Sequence, residues 1–369
     1  MFHILKNKMV KLKPVTFVLG GLSAGGAERV AANLITYWVQ NGRQVNVISR
    51  RGEEKDFFKI PESVHRTSIG GEGESLNVFT GLIKNISYVF KLRKAIRASN
   101  TQVIISFLTK QNIYTILACL GLGRKVIISE RNDTTRQQFK RPWLLLRKWL
   151  YNYADVVTAN SRVAITGMQQ YVNKNKLKIL PNPVEIPLQP ARPQLSQTVL
   201  NVGRLTKTKN HAFLIEAFSQ LKKNGSDWRL LIAGNGEEQA NLEILIKSKG
   251  MEKCIELAGQ VENITSCYQD ASIFVITSKH EGTPNVLLEA MASGLPSIIA
   301  DNLPGAMKLV ENNVHGFYYR EGDIEDLKNK FTLLMKQPRL RKEMGDAARS
   351  SVHQYSIENI DALWRSVID

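Results

Sequence analysis

Two glutamates, Glu281 and Glu289, lie eight positions apart around a turn that the sequence places at the start of a helix. Ahead of them, the apolar run 273–277 is typical of a buried parallel strand. Gly282 and Pro284 then turn the chain into the helix. The first backbone N–H groups of a helix have no partner within it, so its start attracts anions. A ligand there would meet a carboxylate at each end and N–H donors between, as a sugar, a diphosphate and a ribose in a row would require. The alternative is a surface helix with two solvated glutamates.

Two basic residues, Arg204 and Lys209, leave a turn that follows the strand-like segment 199–202. A guanidinium and an ammonium in one turn can neutralise the charge that develops on a diphosphate leaving group. Lys207 is a third candidate in the same turn. Two basic residues in a loop are otherwise ordinary solvated charges. The position of this motif upstream of the glutamate pair supports the prediction that it binds a diphosphate.

A glycine-rich turn near the N-terminus follows the apolar segment 14–19 and includes Gly25 and Gly26. Glycines at such a turn let the backbone approach a ligand closely, although many turns of this kind bind nothing. A nicotinamide site would need an acidic residue at the end of the next strand, about 20 residues on. That strand ends in Arg50 and Arg51 instead, which argues against this cofactor.

Together, the segments around these residues resemble the E-x7-E, G-R-L-x-x-x-K and G-G-A-E-R elements of retaining glycosyltransferases of family 4. The resemblance implies an α/β protein of the GT-B fold, in which two Rossmann-like parallel-sheet domains face each other across a cleft. It also implies that Glu289 binds the ribose hydroxyls of the donor nucleotide and that Glu281 contacts the transferred sugar. Arg204 and Lys209 would hold the donor diphosphate.

The resemblance extends to the remaining donor contacts. Backbone N–H groups at the start of the helix would bind the diphosphate, and the glycine turn would lie over it. Residues 259–261 end a strand at the same sheet edge, where ligands of open parallel sheets bind, so the backbone near Val261 would meet the base; a plain turn is the alternative. The predicted catalytic residues are Glu281, Arg204 and Lys209, and the predicted donor-binding residues are Glu289, Asn285, Val286, Leu287, Gly25, Gly26 and Val261. We expect no metal and no cofactor, because two basic residues supply the neutralising charge and the sequence has no Asp-x-Asp pair.

The first half departs from the family pattern. Many members carry a histidine after the strand that corresponds to 126–129, near the transferred sugar, whereas this chain continues with Glu130 and Arg131. Neither histidine of the first half follows a strand toward the cleft. Glu130, Arg131 and Asn132 are therefore predicted to bind acceptor or sugar, and a structural salt bridge between Glu130 and Arg131 is the alternative.

Length and composition indicate two domains. The chain has 369 residues, which is more than a domain with a single hydrophobic core usually has. Its content of 43% hydrophobic and 22% charged residues is ordinary for a globular protein. Short apolar runs alternate with helical segments, which predicts parallel sheets covered on both faces. A proline-dense segment, 181–193, predicts the boundary. We expect an acceptor-binding, membrane-facing domain over 1–183, a nucleotide-sugar-binding domain over 184–355, and a last helix, 356–369, that packs back on the first domain.

The excess of positive over negative charge is confined to the first domain. Residues 1–183 hold 29 Lys and Arg against 10 Asp and Glu, a net charge of +19, so the rest of the +17 chain carries −2. Such asymmetry attracts an anionic partner, either a membrane leaflet or nucleic acid. A tryptophan-rich basic helix within 136–151 favours the membrane. Its predicted membrane contacts are Trp143, Arg147, Lys148 and Trp149, and the alternative is a core helix whose charges extend to solvent. The basic, apolar segment 84–97 repeats the pattern.

No run approaches the ~20 apolar residues of a membrane span, and the start of the chain lacks the pattern of a signal peptide. Three unclustered cysteines suit a reducing compartment. We therefore expect a cytoplasmic protein, peripheral on the inner face of the cell membrane.

The family resemblance also suggests both substrates. The first half looks most like members of surface-polysaccharide and protein-glycan branches, including N-acetylgalactosaminyl-type transferases, whose acceptor is a polyprenyl-diphosphate-linked saccharide. The donor would be a nucleotide-diphosphate hexose or N-acetylhexosamine, with UDP as the default base, and no nucleic-acid partner is expected. The alternatives are a nucleotide-sugar 2-epimerase on the same fold and a non-enzymatic protein that binds anionic membranes or nucleic acid.

Overall fold

The computed structural model describes residues 12–71, 78–131, 139, 141–222 and 227–369. The chain forms two compact α/β units, Met1–Pro183 with Ile357–Asp369 (unit 1) and Val184–Ser356 (unit 2). Each unit has one all-parallel sheet with helices around it, so the predicted fold class of two Rossmann-like parallel-sheet domains is confirmed.

Unit 1 contains a seven-stranded sheet in the order β3-β2-β1-β4-β5-β6-β7. The strands are β1 Val15–Leu19, β2 Val45–Ser49, β3 His65–Ser68, β4 Val103–Phe107, β5 Lys125–Glu130, β6 Val156–Ala159 and β7 Leu177–Ile179. The helices between them are α1 Gly26–Gln40, α2 Val78–Ala98, α3 Thr109–Cys119, α4 Arg141–Leu150 and α5 Arg162–Met168. Strands β1, β2 and β4 are buried along their whole length, because helices cover both faces of the sheet.

Unit 2 contains a six-stranded sheet in the order β10-β9-β8-β11-β12-β13. Its strands are β8 Thr198–Val202, β9 Arg229–Ala233, β10 Ile255–Gly259, β11 Ile273–Ile276, β12 Ser297–Ala300 and β13 Gly316–Tyr319. Its helices are α6 His211–Lys222, α7 Gln239–Ser248, α8 Ile264–Gln269, α9 Asn285–Ala292, α10 Pro304–Met307, α11 Ile324–Lys336 and α12 Pro338–Ser351. The apolar run that precedes the glutamate pair is β11, as the sequence predicts.

The last helix, α13 Ile357–Ile368, belongs to unit 1. Its Trp364 packs edge-on against Trp38, with ring centroids 5.8 Å apart, and stacks on Phe107 at 6.0 Å. One turn earlier, Asp361 accepts a 2.7 Å hydrogen bond from the Trp38 indole N–H. The C-terminal Asp369 pairs with Arg43 at 2.8 Å. Apolar contact and paired charges thus fix this helix against α1.

In each unit, successive strands are added first on one side of a central strand and then on its other side. In unit 2, β8 is followed by β9 and β10 on one side, and β11 then pairs with the opposite side of β8. In unit 1, β1 lies likewise between β2 and β4. Loops at the carboxyl ends of two such neighbouring strands diverge and leave a crevice, where ligands of open parallel sheets bind. The crevice of unit 2 is therefore the first place to look for a site.

Candidate active site

The two motifs of the second half meet at the crevice of unit 2. Lys209, in the loop after β8, has its Nζ 2.5 Å from Oε1 of Glu281, in the loop after β11. Ser278 donates a 2.7 Å hydrogen bond to the same carboxylate oxygen. The backbones are joined as well, since the N–H of Lys279 donates to the carbonyl of Thr208 at 2.8 Å. Residues far apart in sequence therefore form one polar site.

The loop that carries Arg204 is held by close packing against glycines that follow β9. The N–H of Gly203 donates to Ala233 O at 2.9 Å. A Cβ at Gly234 would lie 2.0 Å from the carbonyl oxygen of Gly203, and Gly234 has a φ of 146°, so only glycine fits there. A Cβ at Gly236 would meet Leu205 O at 2.2 Å. This packing fixes the backbone beside Arg204.

The two basic side chains of this site differ in their surroundings. Lys209 and Glu281 are only 22% and 12% exposed, so their attraction is less screened than that of a surface pair. Arg204 is exposed, and no carboxylate in the described part of the chain pairs with it. Arg204 is therefore the cation that can turn to an incoming anion without first leaving a carboxylate.

Glu289 lies in the second turn of α9 and is held by a tyrosine. The Tyr268 hydroxyl donates to Oε2 of Glu289 at 2.9 Å and lies 3.3 Å from the carbonyl of Val286. Tyr268 is on α8 and is almost fully buried. Its role could not be predicted, because one tyrosine in a short helix carries no sequence signal. Glu289 is half-buried, so part of its side chain remains exposed to solvent.

The start of α9 has backbone donors. Pro284 is the N-cap residue of the helix, and its side chain makes no capping hydrogen bond. The N–H of Leu287 donates to Pro284 O at 3.1 Å, and its side chain is fully buried, so a donor contact of Leu287 would be made by its backbone and stays a prediction. Asn285 and Val286 are half-buried in the first turn, where N–H groups precede the repeating helical bonds.

A buried histidine adjoins this site. His211 begins α6 directly after Asn210, which has the left-handed conformation with a φ of 57°. Burial, aided by the charge of Lys209, lowers the pKa of His211 from 6.5 to about 4. Neither ring nitrogen has a hydrogen-bond partner within the described residues. The imidazole is therefore neutral at neutral pH, and it adds no positive charge to that of Lys209.

Val261, Gly25 and Gly26 stay predictions as donor contacts. Val261 follows β10 at the carboxyl edge of the unit 2 sheet and is half-buried. In unit 1, Gly25 caps α1 and Gly26 is its first residue. The carboxylate of Glu28 folds against Gly25, where a Cβ would lie 2.2 Å from Oε2. An anion that approached the start of α1 would have to displace this carboxylate.

The structure buries two of the three predicted acceptor residues in unit 1. Glu130 is fully buried and accepts hydrogen bonds from the Tyr151 hydroxyl and, at 2.8 Å, from Thr109. Arg131 donates to the side-chain oxygen of Asn182 at 2.9 Å, and burial lowers its pKa to about 9. The prediction that both contact acceptor or sugar is therefore wrong.

The alternative for this pair, a salt bridge between neighbours, is not found either. The guanidinium of Arg131 lies 4.5 Å from the ring centroid of Phe107 and 5.5 Å from that of Trp364. Its hydrogen bonds go to neutral oxygens rather than to Glu130. The third predicted residue, Asn132, lies outside the described residues.

The predicted membrane contacts on α4 differ in their exposure. Arg147 is buried, with its guanidinium 5.7 Å from the ring centroid of Tyr171, so its predicted contact with a membrane is wrong. Trp143 is half-buried and packs edge-on against Tyr114 at 5.5 Å. Lys148 is exposed, and Trp149 is 74% exposed. Their neighbours Leu145 and Leu146 are exposed as well, and contact of this surface with a membrane stays a prediction.

No described helix has the length and apolar character needed to cross a membrane. Within the same part of the chain, no cluster of three or more His, Cys, Asp or Glu side chains could hold a metal ion.

Comparison with known families identifies the chain. Residues 185–351 match the family model of Glycosyl transferases group 1, and residues 24–186 match that of Glycosyltransferase Family 4. The chain is a family 4 glycosyltransferase. Its matched segments correspond to the two units, and the group 1 segment contains the site around Glu281 and Glu289.

Two relatives of this glycosyltransferase are named for lipid-linked glycan acceptors. A Campylobacter jejuni GalNAc-α-(1→4)-GalNAc-α-(1→3)-diNAcBac-PP-undecaprenol α-1,4-N-acetyl-D-galactosaminyltransferase is 28% identical over 96% of this chain and 98% of its own. An N-acetylgalactosamine-N,N'-diacetylbacillosaminyl-diphospho-undecaprenol 4-α-N-acetylgalactosaminyltransferase from the same organism is 26% identical over 93% and 96%. The crystal structure of Anabaena Alr3699/HepE in complex with UDP has the same fold, with a TM-score of 0.77, 19% identity, and coverage of 96% and 98%.

Proposed function

We propose that this glycosyltransferase moves a hexose or N-acetylhexosamine from a nucleotide-diphosphate sugar, with UDP as the base, to a polyprenyl-diphosphate-linked saccharide, with retention of anomeric configuration. The observation that carries the proposal is the contact between Lys209 and Glu281 at the crevice of unit 2, with Glu289 on the helix that follows. A cation, a helix start and two carboxylates at one sheet edge match the parts of a nucleotide-diphosphate sugar.

The donor would bind along the crevice of unit 2. Glu289, oriented by Tyr268, would accept hydrogen bonds from the ribose hydroxyls. Arg204 and the first N–H groups of α9 would contact the diphosphate. Glu281, already held by Lys209 and Ser278, would accept a hydrogen bond from a hydroxyl of the transferred sugar. Each group would thereby be matched to the part of the donor whose chemistry it suits.

The reaction breaks the bond between the sugar C1 and the β-phosphate oxygen and forms one between C1 and the acceptor oxygen. The acceptor's hydroxyl proton passes to the departing diphosphate, whose developing charge Arg204 and Lys209 would neutralise. Because these cations act on the leaving group, the proposal includes no metal ion. Attack from the face that the leaving group vacates retains the α configuration, which is consistent with the α linkages in the names of the two Campylobacter relatives.

The proposed acceptor rests on relatives and on charge. Both Campylobacter relatives are named for undecaprenyl-linked diphosphate acceptors, and they align over nearly the whole of this chain. The +19 charge of residues 1–183 suits an anionic acceptor and an anionic membrane surface. The exposed Lys148 and Trp149 on α4 suit the boundary of a lipid headgroup layer. We therefore propose that the protein works as a peripheral protein on the cytoplasmic face of the cell membrane, with unit 1 toward the lipid.

The test is transfer from radiolabelled UDP-sugars and GDP-mannose to polyprenyl-diphosphate saccharides, with wild type beside Glu289→Ala. A matched control is Glu325→Ala, which removes an exposed glutamate from unit 2 outside the site. Label in the lipid extract from one donor, lost in Glu289→Ala and kept in the control, supports the proposal. Nucleotide-sugar turnover without labelled lipid would indicate an epimerase or hydrolase. Membrane binding without any turnover would indicate a binding protein.

A further inference from the structure

The two side-chain hydrogen bonds that the structure describes for Glu281 end on one carboxylate oxygen. The Nζ of Lys209 lies 2.5 Å from Oε1, and the hydroxyl of Ser278 donates to the same Oε1 at 2.7 Å. A carboxylate oxygen has two lone pairs, so these two donors fill it. A hydroxyl of the transferred sugar can therefore bind Oε1 only when one of the two donors leaves.

Of these two donors, Lys209 is the one that is free to move. Its ammonium ends a flexible four-carbon stem and its side chain is 22% exposed, whereas Ser278 is buried. The stem passes over Gly203, where a Cβ would lie 3.6 Å from Cδ of the lysine. It therefore runs beside the backbone that leads into Arg204. Rotation about the bonds of this stem moves the ammonium away from the carboxylate without any change in the backbone.

The backbone on both sides of Glu281 is fixed. Ahead of it, the N–H of Lys279 donates to a carbonyl of the loop after β8 at 2.8 Å. Behind it, the carbonyl of Gly282 packs so closely against Gly305, in the first turn of α10, that a Cβ at Gly305 would overlap with the carbonyl oxygen. Glu281 therefore keeps its place when Lys209 moves.

The charges at this site favour that movement when a diphosphate binds. Lys209 and Glu281 neutralise each other, whereas Arg204 is exposed and has no carboxylate partner in the ranges that the structure describes. A diphosphate carries more negative charge than one carboxylate, so it competes with Glu281 for the ammonium. The full charge of Lys209 reaches the leaving group only once its pair with Glu281 has parted.

We propose that Lys209 exchanges partners, from Glu281 to the diphosphate of the bound donor, and that Ser278 then holds the Glu281 carboxylate in place for the sugar hydroxyl. The inference rests on the donor of the proposed function and adds Ser278 to its site as a positioning residue. Glu281 becomes available to the sugar only when a diphosphate has drawn Lys209 away, which couples recognition of the two halves of the donor. The alternative is a bridge, because an ammonium has three donors and can contact carboxylate and phosphate together.

The first experiment measures the binding of UDP by calorimetry. If the partners exchange, UDP must part an ion pair in wild type, and Glu281→Gln removes that cost. We expect UDP to bind Glu281→Gln about tenfold more tightly than wild type, the factor of one charge-assisted hydrogen bond. The matched control is Glu216→Gln, which breaks a half-buried pair with Lys249 elsewhere in unit 2 and should leave UDP affinity unchanged. Glu281→Ala also frees Lys209 and replaces Glu281→Gln if that variant does not fold.

A double-mutant cycle separates partner exchange from simple repulsion between Glu281 and the diphosphate. In a Lys209→Gln background no pair remains to be parted, so Glu281→Gln should change UDP affinity by no more than about twofold. A tenfold gain that persists in this background would show repulsion. An unchanged or weaker UDP affinity in Glu281→Gln alone would show that Lys209 bridges the two groups. Either result overturns the inference.

Ser278→Ala tests the positioning role. The hydroxyl contacts Glu281 before and after the exchange, so its loss should leave UDP affinity unchanged and lower kcat for sugar transfer about tenfold. Ser219→Ala removes a buried hydroxyl from α6 and is the matched control, which should keep the kcat of wild type. An unchanged kcat in Ser278→Ala, or a loss of UDP affinity equal to the loss of kcat, would show that Ser278 does not position the carboxylate.

These measurements separate the inference from the proposed function. If no donor supports transfer while UDP still binds Glu281→Gln more tightly in a way that needs Lys209, the proposed function is wrong and the exchange stands. If transfer to the lipid succeeds while Glu281→Gln keeps the UDP affinity of wild type, the proposed function stands and the exchange is wrong.

Discussion

The buried His211 predicts that acid weakens unit 2. The folded protein lowers the pKa of this imidazole from 6.5 to about 4, because burial and the nearby Lys209 disfavour its charged form. The unfolded chain therefore binds the proton more strongly than the folded chain does. Stability from this group is fully present above pH 6.5 and is lost as the pH falls toward 4.

The size of the loss follows from the shift. One pKa unit corresponds to about 1.4 kcal/mol, so the full shift is worth about 3 kcal/mol once the pH lies below both pKa values. Most of this loss of stability occurs within a pH range that an experiment can reach. Between pH 7 and pH 5 the contribution of His211 to the free energy of unfolding falls by about 2 kcal/mol. That is a large part of the stability of an ordinary domain.

Hydrogen exchange measured by mass spectrometry tests this in the two-domain chain, because peptides from β8 and α6 report on unit 2 alone. Protection at pH 7 and pH 5, corrected for intrinsic exchange rates, gives the change in opening free energy. Wild type should lose about 2 kcal/mol more than His211→Gln, in which this titration is absent. The exposed His353→Gln is the matched control and should follow wild type. Equal losses in wild type and His211→Gln would refute the reasoning.

Three further predictions concern the crevice of unit 2. Arg204→Gln should lower kcat/KM for sugar transfer about 100-fold and leave the free energy of unfolding unchanged, since this exposed side chain has no described carboxylate partner. A variant with the kcat/KM of wild type would contradict the role of Arg204. Tyr268→Phe should raise the KM for the donor about fivefold by releasing Glu289, and an unchanged KM would show that the hydroxyl does not position it. Gly234→Ala should destabilise unit 2 by about 3 kcal/mol in urea unfolding, because the new Cβ would meet Gly203 O; a loss below about 1 kcal/mol would show that the loop yields easily.

Much of unit 2 could be predicted from local sequence. The apolar run before the glutamate pair is β11, and the turn residues Gly282 and Pro284 do precede a helix. The contact between Lys209 and Glu281 depends on which strands are neighbours, and sheet order is not written in any local pattern. The hydrogen bond from the Leu287 N–H to the carbonyl of Pro284 is likewise a turn detail that residue types do not reveal.

The helix α4 shows what periodicity can and cannot predict. Periodicity correctly separates Arg147 from the stripe that contains Leu145 and Trp149, but it does not say which side meets the core. In the structure, Leu145 and Trp149 are exposed and Arg147 is buried near Tyr171. Arg147 and Glu130 both act electrostatically on the pKa of Tyr171, so the buried cation has an anion in the same region. A charged side chain can be buried where an opposite charge lies nearby, and the fold decides which charges lie near each other.

The most direct test of the central claim is the structure of the lipid product. The protein would be incubated with its preferred UDP-sugar and a polyprenyl-diphosphate-linked saccharide, and the lipid would be purified for mass spectrometry and NMR. The account predicts that the lipid gains the mass of one or more sugar residues, each in the α configuration of the donor. A lipid of unchanged mass beside consumed nucleotide sugar, or a β-linked product, would contradict it.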